Sequence, residues 1–241
     1  MAQPPTQPRR PIEVGRVIGE VFQIYRANAS PLILSALLVF TAFGIVEALL
    51  GNAGGAVAQL LSAAVNLAGV ALYTGFVVKL VEDIRDGKRD FSIGELLTSA
   101  YAYVGTLFAN GLLLGAGIAI GFVAFVVPGL FLLTMWAVCS PAIVSEGRGP
   151  VEAFGRSREL VSGQGWPVFG AIVVAFLIQI AVAVVAIGIG AGIGTGGLIV
   201  VSIIASALTA PISALVATVL FFDLGGGRPS ADPDAQVVIE Y

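Results

Sequence analysis

The sequence has no histidine and a single cysteine, Cys139. The first absence removes the commonest general base and metal ligand. The second excludes an intrachain disulfide, so cysteine usage says nothing about the redox compartment. Charge is scarce too. Only 11% of the 241 residues are charged, where soluble domains carry about 25%. No Asp, Glu, Lys or Arg occurs in residues 96–145 or 160–222, and Glu47 is the sole charge in 27–78. What is present instead is apolar: 57% of the chain is hydrophobic, with a mean hydropathy of +0.98. A soluble fold of this length could not hide that much apolar surface.

A helix rises about 1.5 Å per residue, so about 20 apolar residues cross a bilayer. Each charge-poor stretch is too long for one crossing and suits two. Each also contains a punctuating cluster: Gly51-Asn52-Ala53-Gly54-Gly55, Pro128-Gly129 and Gly188–Gly197. Glycine and proline interrupt helices because one is entropically costly there and the other lacks an N–H donor. The expected fold is all-α: a polytopic membrane protein with six transmembrane helices in three hairpins. The spans fall at about 31–50, 56–79, 103–127, 130–146, 166–188 and 198–222. A membrane β-barrel would show short alternating segments, and none occurs.

The basic residues orient these spans. Arg9, Arg10, Arg16 and Arg26 precede the first. Lys79, Arg85, Lys88 and Arg89 lie between spans two and three, Arg148, Arg156 and Arg158 between four and five, and Arg228 after six. Six spans put all twelve on one side. The positive-inside rule then places both termini in the cytoplasm. No cleavable signal peptide is expected, since the first apolar run starts near Pro31. Residues 1–11, with four prolines, and 225–241, opening Gly-Gly-Gly-Arg-Pro-Ser, are expected to be disordered tails around a membrane domain at 12–224.

The segments ahead of spans one, three and five look alike: Ile18-Gly19-Glu20-Val21-Phe22, Ile93-Gly94-Glu95-Leu96-Leu97 and Pro150-Val151-Glu152-Ala153-Phe154. Each begins about ten residues with helical apolar spacing. In the first, Val14, Val17, Ile18, Val21, Phe22 and Tyr25 form one stripe. The spacing predicts an amphipathic interfacial helix before every hairpin, its stripe facing lipid, and an arrangement of three similar units. Cys139-Ser140-Pro141-Ala142 and Thr209-Ala210-Pro211-Ile212 each place a proline inside a span.

The run Val127-Pro128-Gly129-Leu130, continuing through Trp136, Pro141–Gly147, Glu152–Gly163 and Trp166, resembles the membrane domain joined to glycerophosphoryl diester phosphodiesterases in some bacteria. The likeness extends to Ile12–Asn28 and to Leu220-Phe221-Phe222-Asp223-Leu224, covering about residues 12–224. It implies a helical bacterial cytoplasmic-membrane protein. The expectation is a stand-alone membrane domain without the phosphodiesterase.

Candidate sites are few. Glu47 is an intramembrane carboxylate, a functional candidate by its position. The plainer reading is an end-of-span charge reaching headgroups or water. A relay would need a partner at similar depth, for which Asn52, Gln59 and Asn66 are available. Arg148, Arg156 and Arg158 form a candidate headgroup site, because guanidinium forks match phosphate and each cytoplasmic cation draws anionic lipid by about 1 kcal/mol. Plain positive-inside orientation would place the same residues there.

Asp83-Ile84-Arg85-Asp86-Gly87-Lys88-Arg89-Asp90 resembles the start of the CDP-alcohol phosphotransferase signature. That chemistry needs further aspartates to hold two metals, and the next is Asp223, so a polar turn at Asp86-Gly87 is the expectation. Gly192-x-Gly194-x-x-Gly197 fits a dinucleotide fingerprint only formally, having no preceding strand. Gly111-x-x-x-Gly115 and Gly117-x-x-x-Gly121 read as close helix packing, and Asn110 and Gln179 as hydrogen bonds between helices. No catalytic residue, metal site or cofactor is expected, and nucleic acid is not an expected partner. Membrane lipids, anionic ones included, are. A second copy or another membrane protein is the further partner class.

The function expected first is a non-enzymatic membrane organiser that binds a partner or lipid. A carrier of a lipid or small amphipathic molecule comes second, and a membrane enzyme last. A cavity between hairpins would favour transport, and a packed bundle with an exposed apolar groove would favour partner binding.

Overall fold

The computed structural model describes residues 12–52, 54–87, 92–193 and 195–227. The expected tail at 1–11, residues 228–241, the basic residues Arg9, Arg10, Lys88, Arg89 and Arg228, and Asp90 lie outside the described residues. Ten helices make up the described chain: α1 (Val14–Ala27), α2 (Ala29–Asn52), α3 (Gly55–Arg85), α4 (Ile93–Tyr101), α5 (Val104–Ala124), α6 (Val126–Met135), α7 (Cys139–Glu146), α8 (Pro150–Val161), α9 (Gly165–Ile193) and α10 (Thr195–Asp223). Six stretches are long and apolar enough to cross a membrane: α2, α3, α5, α6 with α7, α9 and α10. The protein is an all-α polytopic membrane protein. A short helix, α1, α4 or α8, precedes each of three hairpins.

Prolines set where the helices start. Pro31, Pro128, Pro141 and Pro167 are each the third residue of their helix, α2, α6, α7 and α9, and Pro150 opens α8. In a first turn the missing N–H has no partner to lose, while the ring excludes the carbonyl four residues earlier from a continuing helix. That carbonyl belongs to Ala27 for Pro31 and to Ala124 for Pro128, the last residues of α1 and α5. The second hairpin therefore turns at Phe125, which is extended (φ −170, ψ 155), and not at Pro128-Gly129 as expected. Pro141 breaks the fourth span in the same way, so the expected helix over 130–146 is two pieces meeting at Trp136–Val138. Pro211 acts differently and sits inside a continuous α10.

The other turns also shift from their expected places. α2 continues through Asn52, so the first hairpin turns beyond it, with Gly54 and Gly55 at positive φ. α9 continues through Ile193, and Gly194 lies outside the described residues. Glycines at 188, 190 and 192 do not stop a helix in lipid, where no water competes for the backbone. The chain stays ordered through Gly227, past the expected domain end at 224. Gly225 and Gly226 donate to the carbonyls of Phe222 and Phe221 at 3.0 and 2.9 Å, closing α10.

α3 and α10 form the centre. α3 packs on α2, α4, α5, α7 and α10, and α10 packs on α1, α2, α3, α7 and α9. Lipid is as apolar as the side chains, so the association rests on close packing and hydrogen bonds. Tyr73, Phe76 and Phe221 are fully buried, and Tyr73 Oη donates to the carbonyl of Leu32 at 3.1 Å. A Cβ on Gly111 would stand 2.8 Å from Leu67, and one on Gly117 2.6 Å from the Trp136 ring. On Gly121 it would stand 3.0 Å from Gly129, while Gly115 meets nothing. The glycine spacing is therefore packing at three of its four positions.

The short helices correct one expectation. Val17 and Val21 of the α1 stripe are buried in the bundle core, with Val14, Ile18 and Tyr25 packed against it. Only Phe22 of the stripe is exposed. The stripe faces protein rather than lipid, because α1 lies across α9 and α10. Tyr25 Oη donates to the Leu208 carbonyl at 3.2 Å, one turn before Pro211. The recurring glutamate also splits by role. Glu95 and Glu152 are the third residues of α4 and α8 and join their N-terminal caps, through Ser92 and Gly149 respectively. Glu20 sits mid-helix and pairs with Arg85.

Candidate functional site

The chain leaves the fourth span at Glu146, and Gly147 adopts the left-handed conformation (φ +65) that turns it sharply into Pro150 and α8. α8 runs back beneath α7, so Arg156 meets Glu146 fork to fork. Nε donates to Oε2 at 2.8 Å and Nη2 to Oε1 at 2.9 Å. Glu146 also accepts from Arg148 Nε at 3.3 Å and from the backbone N–H of Gly227 at 3.3 Å. Arg156 Nη1 reaches Glu159 at 3.1 Å. The Arg156 and Glu146 side chains are 13% and 10% exposed. The hydrogen bond to Glu146 holds the Arg156 guanidinium above its ordinary value.

The predicted arginines thus separate. Arg148 and Arg156 converge on Glu146, and Arg156 is committed to carboxylates. Arg158, two residues on and so on another side of α8, is exposed and makes no ion pair among the described residues. Arg148 spends only Nε on Glu146 and is 38% exposed.

A second cluster centres on Asp223, the last residue of α10. Arg16 Nη2 lies 3.1 Å from Oδ2 and Arg85 Nη2 4.0 Å from Oδ1. Arg85 also pairs with Glu20 at 2.8 Å and covers the Phe222 ring at 4.6 Å. The two clusters join the ends of all three hairpins into one charged rim. Sequence reasoning missed both. The available signal was the position of Glu146 and Asp223, each the first charge after a long charge-free run.

An apolar groove of about 660 Å³ opens between α6 and the start of α9, lined among others by Val127, Leu130, Phe131, Met135, Gly163 and Trp166. Trp166 is 83% exposed and sits edge-to-face with Phe169. Exposed indole at the end of a span is the usual marker of the headgroup level. Deeper in, a cavity of about 290 Å³ lies between the second and third hairpins, with Trp136, Ala137, Ser140, Gln179 and Ser213 in its wall. The break in the fourth span therefore lines it. Ser157 of α8 serves that break from the other side, donating to the Met135 carbonyl at 2.8 Å and accepting from the Val138 N–H at 3.3 Å. Asn110 of α5 donates to the Pro150 carbonyl at 3.1 Å, the inter-element bond expected of it. Gln179 reaches only its own helix, at the Ala175 carbonyl, 3.5 Å away.

At the far end of the first hairpin the structure brings the intramembrane candidates together. Asn66 Nδ2 donates to Glu47 Oε2 at 3.2 Å, and Ser62 Oγ to the Glu47 carbonyl at 3.3 Å. Ser62 is level with Glu47, and Asn66 is one turn farther from the hairpin tip. A helical side chain leans toward its own N-terminus, which carries the Glu47 carboxylate away from the tip and into the membrane. Among the described residues no three Cys, Asp or Glu side chains gather as a metal site. The Asp86-Gly87 turn forms as expected, with Gly87 at φ +79.

The fold and these sites define a multi-pass α-helical membrane protein with a charged rim at one end. Comparison with protein-family models, with curated proteins and with solved structures finds no match.

Proposed function

We propose that the chain is a non-enzymatic lipid-binding organiser of a bacterial cytoplasmic membrane, with both termini cytoplasmic, and that it holds an anionic phospholipid at its charged rim. One observation carries the reading: the apolar groove is walled by exposed Trp166 at the start of α9 and by Gly163, which follows Arg158 by five residues. The groove lies within the membrane-spanning part, so acyl chains are the medium that reaches it. Of the three candidate arginines at 148, 156 and 158, Arg158 and the outer nitrogens of Arg148 are left to meet a phosphate. Kinship with the membrane domain of the phosphodiesterase family, resting on the resemblance of residues 127–166, belongs to the same proposal.

The test is native mass spectrometry of the purified protein with phosphatidylglycerol. Arg158→Ala is expected to lower the bound fraction about fivefold, the equivalent of the ~1 kcal/mol that one juxtamembrane cation contributes. Unchanged binding would sink the reading. A carrier of an amphipathic molecule is the second reading, favoured by the broken fourth span beside a cavity, a combination that transporters use to form binding sites. An enzyme has the least support, because the chain lacks histidine and neither lysine, Lys79 or Lys88, stands in a catalytic motif.

A further inference from the structure

Four independent features meet at the cavity between the second and third hairpins. The first is the interrupted fourth span, whose residues Trp136, Ala137 and Ser140 line it. Irregular backbone at membrane depth persists only where it is buried in protein or faces a cavity. The second is position. Along α10, Ser213 lies about 15 Å from Asp223, and along α9, Gln179 lies about 21 Å from Gly165. Leu220, only about 5 Å along α10 from Asp223, also lines it, so the cavity reaches from near the charged rim to about the middle of the spans.

The third is unspent hydrogen-bonding capacity. Ser140 makes no side-chain hydrogen bond among the described residues. Ser213 donates to Ala210 of its own helix at 3.1 Å and keeps its lone pairs. The Gln179 carboxamide has one long contact and stands between this cavity and a second one of about 210 Å³, walled also by Ser206 and Thr209. The fourth is the total absence of charge: the lining comes from the charge-free stretches 96–145 and 160–222.

We propose that this cavity is a binding site for an uncharged lipid with a hydroxyl group, a long-chain alcohol or prenol, distinct from the phospholipid at the rim. A phosphate or carboxylate there would be stranded without a counter-charge. A hydroxyl both donates and accepts, matching serine and carboxamide partners, while the rest of the lining suits an alkyl chain. The cavity opens on lipid, with Phe176 60% exposed at its edge, so a chain longer than the cavity continues into the bilayer.

The two tryptophans of the chain report the two sites separately: Trp136 lines the cavity and Trp166 lines the groove. In Trp166→Phe protein reconstituted in phosphatidylcholine vesicles, dibromostearyl alcohol should quench Trp136 saturably. Phosphatidylcholine carrying the same dibrominated chains should quench it only as bulk lipid does. Unlabelled stearyl alcohol should reverse the saturable part. Gln179→Leu should weaken the apparent affinity by about fivefold, the equivalent of one neutral hydrogen bond. Equal, non-saturable quenching by both brominated lipids would overturn the site, and this readout needs no cavity variant to fold. Dibrominated phosphatidylglycerol acting on Trp166 in Trp136→Phe protein reads the rim proposal instead, so either can fail alone.

Discussion

Ser157 Oγ bonds the Met135 carbonyl at 2.8 Å across 22 residues of sequence, and the same oxygen accepts from Val138. One side chain thereby answers two of the polar groups freed where Pro141 interrupts the fourth span, the Met135 carbonyl and the Val138 N–H. Ser157→Ala should leave a carbonyl and an N–H unpaired at membrane depth and lower stability by about 1–3 kcal/mol. Reversible unfolding in mixed micelles measures this. A loss no larger than that of Ser206→Ala, an exposed serine in α10, would show the bond to be dispensable.

Arg156 and Glu146 form a bidentate and mostly buried ion pair of the rim. Arg156→Ala leaves a mostly buried carboxylate with Arg148 and one backbone N–H, and should destabilise by about 1–3 kcal/mol. Adding Glu146→Gln should recover part of that loss. A double-mutant cycle with zero coupling would contradict the geometry.

For lipid binding, Arg158→Ala should reduce phosphatidylglycerol retention while leaving the unfolding midpoint unchanged. Arg156→Ala should shift the midpoint first. The opposite order would reverse the roles assigned to two arginines only two residues apart.

Gly117 makes room for Trp136. A Cβ there would stand 2.6 Å from the indole, so Gly117→Val should displace the ring and change the emission maximum of Trp166→Phe protein. Gly115→Val, with nothing within reach, should leave the spectrum as it is.

Asn66→Leu should strip Glu47 of its only side-chain partner among the described residues and lower stability by about 0.6 kcal/mol, the average for a polar contact between membrane helices. Glu47→Gln keeps an acceptor oxygen and should be milder. No loss on Asn66→Leu would mean the contact with Glu47 contributes nothing.

Much of the fold was legible. Charge-free stretches of 50 and more residues can only be paired crossings, because each charge would be stranded in hydrocarbon. The first-turn prolines could have placed the helix starts closely. At Pro128 the sequence points to a turn at the proline itself, yet a proline's steric demand falls on the carbonyl four residues earlier, here Ala124, and the chain turns at Phe125. Asn52, Gln59 and Asn66 are all within sequence reach of Glu47, and the antiparallel register of the first hairpin selects Asn66. Nothing in sequence spacing separated Arg156 from Arg158, since that depends on which side of α8 faces Glu146.

The amino-acid sequence alone determined the solvent, the helical form and the number of crossings. Those follow from local quantities: apolar length, the missing N–H of proline and the cost of charge in lipid. Only the tertiary structure decided that the α1 stripe faces protein, that the rim arginines divide into bound and free, and that the break at Trp136–Val138 meets Gln179 and Ser213 at one cavity. These are contacts between segments from about 20 to more than 180 residues apart, set by packing in a medium that gives the helices no hydrophobic drive to choose their neighbours.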